Sequence, residues 1–443
     1  MPQNTRFSAA TIAAAVCLLS VIGAAAQQQG LTIREKQSDQ QMLQDAKDAI
    51  EKHYYDAKFH GVDLNQAYAK SQAGIQASQS NHQAFTWVSA FVESLNDTHT
   101  RFEPPDRVGQ VDYGYQLQMI GDKCYVTELR PGSDAEAKLH PGDQVTSREG
   151  VAITRANFPK MLYYFNVLSP VTVSNFDVVD PNGNTRRVQI GSKMWTQAKL
   201  LDLSGQSGFA TLLGLMNREL QVESKLETRY IESGDVLFWK MPEFNLDRQE
   251  TDSIFSIARK HKTLIIDLRG NPGGLDDNLR DVVSYLFDHD VKLYDRVSRK
   301  DTKAATIKSH GSYAFGGKLI VLVDSGSASA AELLARTVQL ENRGTVIGDH
   351  TEGAVMQSLF YRYQQGVDAV IPYGFSVTDA DLLMKDGKSL EHVGVTPDEM
   401  MVPTAQDLAE GRDPVMAHAA QLGGLTMSPA NAAKLFPYQW TPL

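Results

Sequence analysis

Two stretches of the chain are built alike, and together they leave few folds open. "TLIIDLRGNPGG" (Thr263 to Gly274) and "KLIVLVDSGSASAAELLARTVQ" (Lys318 to Gln339) each begin as an apolar run and end in a turn of small residues. The second passes straight into an amphipathic helix pattern, with Leu333, Leu334 and Val338 on its buried face, and "DDNLRDVVSYLF" follows the first in the same way. Apolar runs of this length, bounded by turn residues, read as buried strands. With "VLFWKMPEF" and "GTVIGDH" as further strands, the alternation predicts an α/β core with parallel pairs.

A chain of 443 residues exceeds one ordinary domain, so two or three are expected. From Gln37 to Val92, "QMLQDAKDAIEKHYY" and "AFTWVSAFVESL" repeat apolar residues at three- and four-residue spacing, the pattern of a small helical domain. It stops at "NDTHTRFEPPD", where Pro104 and Pro105 end any regular element. From Val111 to Ile190 the texture alternates as strands do, with "PNGN" as a hairpin turn. The stretch from Pro403 reads as one short helix and a polar tail. The expected division is therefore 27–107 helical, 108–195 β-rich, 196–402 core and 403–443 tail.

The first residues read as a leader. "MPQNTRFSAATIAAAVCLLSVIGAAAQQQ" has a short basic start, an apolar run from Ala9 to Gly23 and an A-x-A site, which predicts cleavage after Ala26 and export to the periplasm or beyond. Removal of Cys17 leaves Cys124 alone, so no internal disulfide is expected and the core must supply the stability. Hydrophobic residues make up 42% and charged residues 22%, which excludes long disorder, and a net charge of −10 without a basic block gives no reason to expect nucleic acid. Scattered histidines without H-E-x-x-H point to no metal and no cofactor.

Chemistry concentrates at the serine corner. Ser325, Ser327 and Ser329 stand where the strand becomes a helix. A hydroxyl at the helix start feels free N–H groups and the positive end of the dipole, which favour a developing negative charge. Ser329-Ala-Ala-Glu332 equally fits a capping box, and Ser325 and Ser327 are ordinary turn residues. The glycine turn ending at Gly273 and Gly274 can bring backbone N–H groups close to a ligand, or can simply meet a need for positive φ.

Taken in order, "LIIDLRGNPGG", "LVDSGSASAAE", "VIGDHTEGA" and "EHVGVTPD" resemble the C-terminal processing (tail-specific) and tricorn-type serine peptidases. The helical segment with "HYYDAKFHGVD" and "LNDTHTRF" resembles that family too, and "PGSDAEAKLHPGDQV" resembles a PDZ domain. The similarity implies an α+β multidomain protein: N-terminal helices, a PDZ-like β-rich domain and a ClpP/crotonase-like peptidase core. It implies Ser329 as nucleophile, with an oxyanion hole from the N–H of Ala330 and that of Gly273 or Gly274. In "YGYQL", the residues Gly114, Tyr115, Gln116 and Leu117 would hold a peptide end by strand addition.

One departure stands out. Tail-specific members carry a lysine base twenty-five residues after the serine, and Ala354 occupies that place here. Lys385 and Lys388 match no motif position. The tricorn branch implies instead His99 of "DTHT" as base and Glu391 of "LEHVGVTPD" as its orienting carboxylate. "DTHT" could also be only a polar turn, with His350 as backup base and Glu352 as backup orienting group. The expected partner is a polypeptide substrate, with its C-terminus as one candidate for recognition. The alternative is a catalytically inactive member that binds peptides or apolar ligands.

Overall fold

The computed structural model describes residues 30–105, 109–196, 229–366 and 371–440. The expected leader and the start of the expected core at 197–228 lie outside the described residues.

Helix Ile33–His53 is opened by a capping box between Thr32 and Glu35. It buries Met42, Leu43, Ala46, Ala49 and Ile50, the stripe that its sequence spacing requires. Helices Leu64–Ala77 and Asn81–Val92 pack beside it, and Gly74 makes room for the Trp87 ring. The bundle's core also contains Phe102, Tyr373, Phe375 and Val377, so the helices rest on a sheet from the far end of the chain. The short strand β1 (Arg101–Glu103), which follows the "DTHT" turn directly, joins the edge of that sheet.

A β-rich module follows. β2 (Gly109–Asp112) pairs β9 (Lys193–Thr196). A second sheet has the order β3 (Tyr115–Ile120), β4 (Lys123–Leu129), β5 (Gln144–Arg148), β7 (Val173–Val179), β8 (Thr185–Gly191), and the two-residue β6 (Val151–Ala152) pairs β5. β3 stands at its edge, with one side unpaired by any strand among the described residues.

The α/β core carries a six-stranded sheet in the order β10 (Arg229–Ser233), β11 (Val236–Lys240), β12 (Thr263–Asp267), β15 (Lys318–Val323), β16 (Gly344–Gly348), β19 (Glu399–Met400). All its pairs are parallel except β10 with β11. β12 buries all five of its residues, so both faces of the sheet need cover. Leu264 and Ile266 face helices Arg248–Ala258, Asp276–Leu286 and Ala330–Leu340. Ile265 faces the other way, onto Val415, Met416, Ala419 and Ala420.

That second cover corrects the reading of the tail. Three helices, Ala405–Ala409, Pro414–Leu422 and Pro429–Ala432, replace the single short helix expected there. The middle one closes the open face of the sheet with small apolar side chains. Arg269, just past β12, makes paired hydrogen bonds to both Asp267 and Asp413 and ties this cover to the glycine turn. Beyond it, Leu435 and Phe436 pack on the core while Trp440 lies over Arg130 of the β-rich module.

A wholly antiparallel sheet was also not anticipated from the parallel pattern. It has the order β1, β18 (Ile371–Met384), β13 (Val291–Ser298), β14 (Thr302–Ile307), with β17 (Met356–Gln365) on the other edge of β18. Pairing of Arg101 with Ser376 carries the "DTHT" turn from the helical domain to the core.

Candidate active site

The turns that follow β12, β15 and β16 all lie at the carboxyl ends of parallel strands, where open α/β sheets place their ligand crevice. The turn after β15 ends at Ser329, whose backbone sits at φ 53° and ψ −116°. This is a conformation that an L-residue reaches only at a cost of about 1–3 kcal/mol, and such strain collects at functional turns. Ser329 N–H is held between Ala354 O (2.8 Å) and the Glu332 carboxylate (3.1 Å), the acid half of the expected capping box. Ser327 is buried and donates to Leu268 O, while Ser325 donates to Met119 O of the β-rich module. Those two are framework, and Ser329 alone is half-buried at the strained position.

The glycine turn lies against this corner. A Cβ on Gly273 would stand 2.6 Å from Ser329 Cβ and 3.1 Å from Ala330 N, and one on Gly274 would strike Phe244 O at 2.4 Å. Their φ angles of 103° and 137° also exclude ordinary side chains. Gly273 N–H is taken up by the buried Asn271 Oδ1 (2.8 Å). Among the described residues the N–H groups of Gly274 and Ala330 have no protein acceptor. Of the two glycine donors left open by the sequence, Gly274 is the one without an acceptor among the described residues. Asn271 also accepts from Ala328 N–H through its carbonyl, and Asp324 Oδ1 accepts from Gly270 N–H and Gly326 N–H, which joins the two turns.

His99 approaches from the helical domain. Asp97 Oδ1 accepts from the N–H of His99 and Thr100 and from Thr378 Oγ1, so the loop is pinned to β18. His99 Nδ1 lies 2.8 Å from Thr98 Oγ1, which lies 3.0 Å from Glu391 Oε2. Thr98 N–H donates to Glu391 Oε1 at 2.7 Å, and Val355 N–H donates to Oε2 at 2.9 Å. The carboxylate expected to touch the ring thus reaches it through a threonine. Burial pushes the imidazole down to about 4, against a weaker upward pull from Asp97, so it is neutral at pH 7. Burial raises the Glu391 carboxyl, opposed by its hydrogen bonds to Val355 and Thr98. Among the described residues no hydrogen bond joins the His99 ring to Ser329. Catalytic contacts of this kind are commonly long until substrate binds.

The loop after β16 binds both sides together. Glu332 takes Thr351 Oγ1 (2.5 Å), Gly353 N–H (2.8 Å) and Ala354 N–H (2.9 Å), and His392 N–H donates to Gly353 O (2.7 Å). Ala354 is buried here and offers its carbonyl to Ser329. The other expected groups fall elsewhere. His350 is exposed, with Nδ1 near Thr396 Oγ1 (3.2 Å), and its carbonyl accepts from Arg155. Glu352 is exposed and among the described residues makes no side-chain hydrogen bond. Lys385 pairs with Glu341 at the surface. Gly114, Tyr115, Gln116 and Leu117 enter β3 at the edge of their sheet, remote in sequence but linked by Gln118 to Asp324 of the serine corner (2.6 Å).

Thr98 went unremarked in the sequence beyond its place in a polar turn, and Glu332 read only as a helix cap. Their second partners, Glu391 and the 351–354 loop, come from other parts of the chain. Neither carries a local signal.

A strained serine at a strand–helix corner, two N–H groups without a protein acceptor among the described residues and a half-buried neutral histidine linked through a threonine to an acid fit a serine-hydrolase type of site. Comparison with known proteins agrees. Residues 235–401 match the model of peptidase family S41. The chain is 25% identical over 424 residues to the carboxyl-terminal-processing protease of Synechocystis, covering 89% of each. It is 24% identical over 356 residues to the carboxy-terminal processing protease CtpA of Bacillus subtilis, covering 77% of this chain and 68% of that one. The crystal structure of mature CPAF shares the fold, with TM-score 0.63 at 16% identity over 85% of this chain and 94% of that one. Residues 235–401 thus carry an S41-type serine peptidase domain, a hydrolase class. A peptidase implies a polypeptide substrate. Among the described residues no helix is long and apolar enough to cross a membrane.

Proposed function

We propose that this chain is an exported serine endopeptidase that acts through an acyl-enzyme on Ser329, with His99 as base in place of the lysine replaced by Ala354. The observation that carries the reading is the hydrogen-bonded series Glu391, Thr98, His99. Thr98 has one hydroxyl proton. Given to Glu391, it leaves the oxygen to accept Nδ1–H of His99, which fixes the tautomer and leaves the Nε2 lone pair as base.

In the forward step Ser329 Oγ bonds to the substrate carbonyl carbon and its proton passes to Nε2. The negative charge that forms on the carbonyl oxygen is met by the N–H groups of Gly274 and Ala330. His99 then gives the proton to the leaving amine nitrogen as the C–N bond breaks. A water molecule repeats the sequence on the ester and frees the acid and Ser329. Glu391 stabilises the transient imidazolium through Thr98.

The edge of β3 behind Gly114, unpaired among the described residues, supports a PDZ-like role in which a peptide adds as a strand. The leader pattern ending at Ala26 supports export, and mass-spectrometric sequencing of the N-terminus of the exported protein tests it.

Labelling with a fluorophosphonate probe tests the chemistry. Wild type is expected to label once, Ser329→Ala not at all, and His99→Ala at a rate lower by about a hundredfold or more. Label that survives Ser329→Ala moves the nucleophile elsewhere, and unchanged labelling in His99→Ala moves the base. The non-catalytic reading draws on the missing Ser329–His99 hydrogen bond. It predicts an unlabelled wild type that still binds peptide.

A further inference from the structure

Glu332 is the most enclosed acid of the site. Its residue is 0% exposed, yet no cation pairs with it among the described residues. Four donors converge on it instead. Oε2 accepts Ser329 N–H and Ala354 N–H, and Oε1 accepts Gly353 N–H and the Thr351 hydroxyl. A helix cap needs only the first of these. The other three belong to the loop after β16, which in turn holds Glu391 through Val355 N–H and receives His392 N–H on Gly353 O. The same loop returns to the nucleophile, since Ala354 O accepts Ser329 N–H.

We infer that Glu332 is a positioning residue that holds the strained Ser329 backbone and sets it in register with the loop carrying the Glu391–Thr98–His99 series. The inference rests on Ser329 being the nucleophile. It assigns to an apparent capping residue the task of fixing the distance between the two halves of the site, which come from separate segments of the chain. The carboxylate touches neither substrate nor the reacting atoms. It acts through the Ser329 N–H and the 351–355 loop. Its geometry suits that task, because one side chain of fixed length bridges two backbone segments, with two acceptor oxygens each serving two donors.

Length and acceptor placement, rather than charge, are therefore what the site requires. Glutamine keeps the length: its Oε1 serves Ser329 and Ala354, its amide donates to the Thr351 hydroxyl, and only Gly353 N–H loses its partner. Aspartate keeps the charge but falls one methylene short of bridging both segments. The experiment compares Glu332→Gln, Glu332→Asp and Glu332→Leu in the full chain, with wild type and Ser329→Ala as references. Read out are the fluorophosphonate acylation rate per folded site, kcat and KM on a peptide, and Tm. Glu332→Gln is expected within about fivefold of wild type in acylation, and Glu332→Asp slower by about thirtyfold or more, with kcat falling and KM nearly constant. Glu332→Leu follows Glu332→Asp where it folds; where it does not, the Gln/Asp order decides alone.

Folded variants that all acylate at the wild-type rate, with only Tm lowered, would show a structural cap and overturn the inference. So would an aspartate variant faster than the glutamine one. Either result leaves the peptidase reading intact, provided wild type labels and Ser329→Ala does not. An unlabelled wild type overturns both.

Discussion

Replacing Thr98 by valine removes one hydroxyl and leaves side-chain volume almost unchanged. The structure says what is lost: the 2.8 Å contact with His99 Nδ1 and the 3.0 Å contact with Glu391 Oε2. Glu391 stays in place, because Thr98 N–H and Val355 N–H still hold it. The ring, in contrast, loses its only hydrogen-bond partner among the described residues. A hydrogen bond with a charged partner contributes about 1.5–3 kcal/mol. Thr98 is exposed, so water competes and the lower end applies. About 1.5 kcal/mol lost from the transition state is about a tenfold fall in rate. Thr98→Val is thus expected to lower kcat/KM about tenfold, almost wholly in kcat, and Thr98→Ser to restore it to within about threefold. Steady-state kinetics on a fluorogenic peptide reads this, with Tm followed in parallel. A valine variant with wild-type kcat/KM, or a serine variant as slow as the valine one, would refute the threonine bridge and leave Glu391 without a route to His99.

Other outcomes follow from the same geometry. Gly273→Ala places a methyl 2.6 Å from Ser329 Cβ at a φ of 103°, so fluorophosphonate labelling should vanish and stability fall by about 1–3 kcal/mol, read by urea denaturation. Arg269→Met leaves Asp267, 1% exposed, with the backbone N–H of residue 269 at 3.0 Å and Lys240 at 3.4 Å, and should cost about 3–5 kcal/mol in the same assay. The acid limb of kcat/KM should fall near pH 4 rather than 6.5, because burial holds the His99 imidazole down.

Stability should show two opposing slopes. His99 is depressed from 6.5 to about 4, so the unfolded chain binds the extra proton and stability is lost as pH falls through that window. Burial raises Glu332 from 4.5 to about 7 against its hydrogen bonds, so the folded chain binds the proton and stability rises as pH falls from 7 to 4.5. Urea midpoints against pH should lose the first slope in His99→Gln and the second in Glu332→Gln. Slopes unchanged by these substitutions would assign them to other groups.

Some of this protein was settled by local pattern. The strands at 263–267 and 318–323, the helices after them and the helical N-terminal region all appear where apolar spacing places them, because burial on one face or two dictates that spacing. The same pattern placed Ser329 at the start of a buried helix, but only the family resemblance set it apart from Ser325 and Ser327. The antiparallel sheet and the apolar cover at 414–422 escaped the reading, since what they pack against lies far away in the chain. Which residue reaches His99 and what Glu332 holds are likewise not written in any short stretch. Each depends on hydrogen bonds between segments up to 293 residues apart, from Thr98 to Glu391. Periodicity reports only whether a residue faces inward. Its partner there is set by how the sheets stack, and that stacking turned a serine, a threonine and two glutamates into one site.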